Sequence, residues 1–253
     1  MIGWLYGCAV HDPAAEPVPS PPEAEVAPAD LRIGEGLSDE VARVMDGYPL
    51  DGSYGFFWPP DDGVWWGTTR DVRYRKLLLS PGDPDRRSYC VGLTWEIAMQ
   101  VLAAEAGGED AEINGLTLND VLAFRRDWFV RERFGAGAAD AVVTYGLGER
   151  VPFQAIRRGD FLQMWTAGGA GHAGIFDSWV KDGERVVGVR YWSTHPLLGG
   201  IGYWSDSFGQ WGLARETFFA ARLARREDWV ARGGATRHPP AASASSSSGA
   251  PRP

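Results

Sequence analysis

Two periodicities divide the chain. In the first half, apolar residues recur at helical spacing. The run after Cys90, through Ile97, Met99, Val101 and Leu102, reads as a helix that Gly107-Gly108 stops. Leu37 to Met45 carries a shorter amphipathic signal. Leu118, Val121, Leu122 and Phe129 fall on one helical face and predict a helix over roughly 118–134, with Arg125, Arg126, Arg131 and Arg133 turned to water. A further short helix is expected from Ala138 to Leu147. After that the period drops to two. Phe161 to Trp165 reads as a strand, Gly168 to Gly171 as a turn, and His172 to Val180 as a second strand. Asp182-Gly183 carries the signal of a two-residue hairpin loop, and Arg185 to Trp192 forms the returning strand. Thr217 to Leu223 adds a fourth strand or a helix. Helices first and an antiparallel sheet afterwards make the fold class α+β.

The flanks differ from this core. Ala9 to about Asp30 is rich in Pro, Ala and Glu, the composition of a solvated tether, and 236–253 is a Ser- and Pro-rich tail. One folded domain is expected over 31–235. Leu5-Tyr6-Gly7-Cys8 has the outline of a lipobox, whose cysteine would carry a lipid, in a leader that starts farther upstream. The alternative is a chance Leu-x-Gly-Cys in an ordinary N-terminus. No apolar run approaches the ~18 residues of a membrane span. A formal net charge of −8 argues against nucleic acid as a partner. The two cysteines, Cys8 and Cys90, sit in such different contexts that a disulfide between them is not expected. Twelve tryptophans suggest either packed loops or a groove lined with indoles. The aromatic stretch from Tyr48 to Tyr74 would wall a cleft or simply cap the core.

Cys90 holds the candidate chemistry. With Ser88 as N-cap it would open its helix, where the dipole favours thiolate over a thiol whose ordinary pKa is about 8.5. A lone cysteine on a helix is more often structural, so the position matters only if a base lies near. His172 is the candidate. If Asp182-Gly183 are the loop residues, Lys181 opposes Glu184 and His172 opposes Ser193, with Tyr191 and His195 on the same face. A base with an orienting polar neighbour is what a Cys–His catalyst needs.

The motifs around these residues carry a resemblance. Ser88-Tyr89-Cys90-Val91-Gly92 at a helix start, Gly159-Asp160-Phe161-Leu162 at a strand start and Gly171-His172-Ala173-Gly174-Ile175-Phe176 together resemble the papain-like cysteine peptidases and amidases of bacterial cell walls, the NlpC/P60 and CHAP superfamily. The resemblance covers about 84–205. It implies a papain-like fold with Cys90 as nucleophile, His172 as general base and acid, and His195 or Ser193 as the third member. It also implies a peptide or peptidoglycan substrate and a place in the bacterial cell envelope or outside the cell. Where Asp-Cys-Ser-Gly is usual this chain has Tyr-Cys-Val-Gly, and the gap from His172 to His195 is long. Tyr89, Trp95, Trp192 and Trp66 are the candidate substrate-binding residues. No cofactor or metal is expected, since Cys90, His172 and His195 have no compact zinc spacing. Membrane contact is expected only through a lipid at Cys8, and the chain is expected to be monomeric. Two other readings stand beside this one. A transglutaminase-like acyltransferase would need an Asp, for which Asp177 and Asp182 sit badly. The other is a non-catalytic, aromatic-lined module that binds glycan or peptide.

Overall fold

The computed structural model describes residues 35–58, 66–130 and 132–231. The lipobox at 1–8, the tether at 9–30 and the tail at 236–253 lie outside them. Four helices come in the first part: α1 (Ser38–Asp46), α2 (Cys90–Ala106), α3 (Leu118–Trp128) and α4 (Ala138–Thr144). Between the first two, β1 (Val72–Tyr74) and β2 (Leu77–Ser80) form a small hairpin that the sequence pattern does not announce. The main sheet follows: β3 (Gly148–Arg150), β4 (Phe161–Thr166), β5 (Gly171–Asp182), β6 (Arg185–His195), β7 (Gly200–Ser207) and β8 (Leu213–Leu223). Its strand order is β3-β8-β4-β5-β6-β7, antiparallel throughout. The expected α+β order holds. The segment at 217–223 is strand, inserted between β3 and β4 rather than added at an edge.

Both faces of this sheet are covered. Phe161, Ile175, Trp192, Ile201 and Ala221 join the core built with α1, α2, α3 and α4. Their immediate neighbours Leu162, Phe176, Tyr191 and Ala220 point the other way, into a second core closed by Phe153, Trp179, Phe208 and Phe218. Strand alternation therefore buries successive residues in different cores, and Phe161 to Trp165 is buried throughout and apolar at every position but Gln163 for that reason.

Helix α2 is the central element. It is apolar nearly all round and ends at Gly107, whose φ of +109° suits glycine. Its one buried carboxylate, Glu96, accepts hydrogen bonds from Tyr48 Oη (2.5 Å), Thr69 N (2.5 Å), Thr69 Oγ1 (2.7 Å) and Arg70 Nε (3.1 Å). These bonds tie the segment after residue 65 and the end of α1 to the helix. The Gly159-Asp160 turn plays the same part for β4. Buried Asp160 is bidentate to Arg222 of β8 (2.9 and 2.8 Å) and also accepts from Ser38 Oγ at 2.7 Å. A Cβ at Gly159 would strike the Ser38 carbonyl, so only glycine lets α1 close on the turn.

Two helical expectations are corrected. Helix α3 stops at Trp128, not near 134, because Phe129 leaves helical geometry (ψ +68°). Arg125 is not turned to water. Its guanidinium lies 3.9 Å over the Trp66 ring and it donates to the Leu79 carbonyl. Among the described residues no helix is long and apolar enough to cross a membrane.

Candidate active site

Cys90 is the first residue of α2, as its motif predicts, but its N-cap is Tyr89 and not Ser88. The Ser88 backbone is already committed to a parallel bridge with Phe56: its N–H donates to Gly55 O and its carbonyl accepts from Phe57 N. Helix geometry leaves the N–H groups of 90–92 without an acceptor inside the helix. This helix start opens on a pocket of about 120 Å³. Trp58, Tyr89, Phe129, Val130 and Trp165 form its apolar wall. Its polar members are Cys90, Gln163 and His172.

The hairpin brings His172 there by a register other than the expected one. Asp182 pairs with Arg185, so the loop residues are Gly183-Glu184, with Gly183 at φ +60°. An irregularity at Asp177 in β5 and another at Val187 in β6 cancel. The pairs Phe176–Tyr191 and Ile175–Trp192, continued to the strand start, set His172 opposite His195 rather than Ser193. The turn moved by one residue and the register by two, so the face was predicted correctly and the partner was not. The two imidazoles meet edge to face with centroids 5.5 Å apart. Ser193 is on the same face, but it stands two residues from the position opposite His172, and its hydroxyl donates to the Ala173 carbonyl at 2.8 Å.

Alternation also directs the rings. Gly171, Ala173 and Gln163 face the α2 side. The His172 ring stands with Met164, Tyr191 and His195 on the other, so His172 borders the pocket from the sheet margin. Tyr191 reaches His172 (5.3 Å between centroids) across Gly174, where a Cβ would stand 2.8 Å from the tyrosine ring. The second glycine of the Gly-His-x-Gly motif thus has a steric cause. His195 Nδ1 accepts the Leu197 N–H (3.2 Å), so a neutral His195 carries its proton on Nε2. Trp204 stacks on His195 at 4.4 Å. Asp206 then holds both flanking aromatics, accepting from Tyr191 Oη (2.7 Å) and Trp204 Nε1 (3.2 Å). Enclosure, reinforced by His195, pulls the His172 imidazole down to about 3, and its Nε2 is buried without a partner. Burial lowers His195 as well, while Asp206 pulls it upward.

Of the four substrate-binding candidates only Tyr89 lines the pocket. Trp95 is fully buried in the main core beside Phe129, and Trp192 is buried against Tyr48. Trp66 packs on Phe129 and under Arg125, behind the pocket wall. Sequence reasoning missed Gln163, Trp165, Trp204 and Asp206. Alternation along β7 would have paired Trp204 with Asp206, but Gly200 and Gly202 hide that strand. The disulfide expectation is also overturned: Cys90 is disulfide-bonded. Cys8, the other cysteine of that expectation, lies outside the described residues. No known family model matches the chain, and neither a curated protein nor a solved structure does.

Proposed function

We propose that the chain, once the disulfide at Cys90 is opened, is a cysteine hydrolase of amide bonds with a papain-like arrangement. Stem peptides of the bacterial cell wall are the substrate class that its motifs suggest. One observation carries the reading: the cysteine that opens α2 and the histidine that opens β5 border the same pocket, with His195 facing that histidine. In this reading His172 takes the Cys90 proton, and the thiolate attacks the substrate carbonyl. The N–H groups at the start of α2 hold the resulting oxyanion. His172 then returns the proton to the departing amine, and water releases the acyl group. An imidazole held as low as His172 is neutral, the form a base requires. In this reading a thiolate in the shared pocket supplies the opposite charge that raises it during transfer.

The disulfide and the apolar wall favour a second reading, a binding module that never ionises Cys90. Alkylation of Cys90 against pH separates the two, in full-length reduced Cys8→Ser protein with and without His172→Ala. Hydrolase chemistry requires labelling that persists well below the ordinary thiol pKa of about 8.5 and weakens in the His172 variant. Labelling only near that pKa, or only on unfolding, leaves the binding module.

A further inference from the structure

Gln163 has no task in the fold. It lies on β4 directly opposite Ala173 and is only 5% exposed. Its side-chain amide nonetheless makes no hydrogen bond among the described residues. Buried amides in native proteins are nearly always paired. Neither amide atom of Gln163 is among the sealed, unpartnered ones, because the side chain faces the pocket. Gly137 packs behind it, where a Cβ would stand 3.2 Å from Oε1, so the amide is supported from the rear and open in front. The start of α2, with N–H groups that lack a helical acceptor, borders the same space.

We propose that this pocket binds an uncharged carboxamide and that Gln163 reads it, donating to the ligand carbonyl and accepting from the ligand N–H. The inference rests on the pocket of the proposed function and names the group that enters it. Whichever way the Gln163 amide is turned, it offers one donor edge and one acceptor edge, the complement of another amide. An anion would suit the helix start alone, but among the described residues no Lys or Arg lines the pocket to replace its hydration. The volume of about 120 Å³ is close to the ~150 Å³ of a cavity that admits benzene. One amide with a short apolar side chain fits, and a long peptide does not.

The test is a titration of the full-length protein, oxidised and reduced, with propanamide and separately with propanoate. Binding is read from ¹H–¹⁵N shifts of the Gln163 side chain and the Trp165 indole. The amide should give saturable shifts and bind about tenfold tighter than the acid. Gln163→Leu should weaken it by about five- to tenfold. If that variant is unfolded by circular dichroism, Gln163→Met takes its place. No saturable shift, equal affinity for the acid, or wild-type affinity in the variant overturns the inference. A reactive Cys90 whose peptide cleavage ignores Gln163→Leu also sinks it while leaving the hydrolase standing. An inert Cys90 with Gln163-dependent amide binding does the opposite.

Discussion

At the residue scale the site is decided by what each polar atom already holds. Ser193 and His195 look interchangeable from sequence, being two apart on one strand face. The Ser193 hydroxyl donates to the Ala173 carbonyl, whereas His195 faces His172. Ser193→Ala should therefore cost only about 1 kcal/mol in urea unfolding and leave the pH profile of Cys90 labelling unchanged. His172 makes stability itself pH-dependent. Its folded pKa, about 3, lies below the ordinary imidazole value of 6.5. The unfolded chain thus binds the proton first as pH falls, and stability is lost between about 6.5 and 3. His172→Phe should flatten this part of the curve. Wild type should lose several degrees more in melting temperature than the variant between pH 7 and pH 4, at about 2–4 °C per kcal/mol.

At the element scale, α2 is the piece that others are fitted to. The apolar run after Cys90 makes it legible, and the observed end at Ala106 agrees with the glycine stop. What docks on it was not legible. Gly92 admits the segment at 66–67 so closely that a Cβ would collide with the Trp66 and Gly67 carbonyls. Backbone cannot swing aside as a side-chain tip can, so Gly92→Ala should destabilise by about 1–3 kcal/mol in urea and displace Tyr89. Glu96→Leu would strand Tyr48 Oη and Thr69 N, with an expected loss of about 3 kcal/mol or more by the same assay. The β5–β6 hairpin shows where pattern reasoning stops. The alternation gave the face, but a turn shifted by one residue set the partner, while the two bulges between, which have no composition signal, cancel.

At the scale of the whole molecule, the disulfide at Cys90 governs accessibility of the thiol. The native protein prepared without reductant should show no Cys90 thiol to a colorimetric reagent, and reductant should release it. Any native Cys90 thiol before reduction would contradict this. The order of helices before strands, the reach of α2 and the candidate pair Cys90 and His172 follow from the sequence, because periodicity and helix-end chemistry are local. Tertiary structure decided that Trp95 and Trp192 are core, that His195 faces His172, that Gln163 stands in the pocket and that Asp206 secures Tyr191 and Trp204. Each of these depends on which strand lies beside which and in what register. Residues far apart in the chain fix that jointly, through burial of two cores on one sheet.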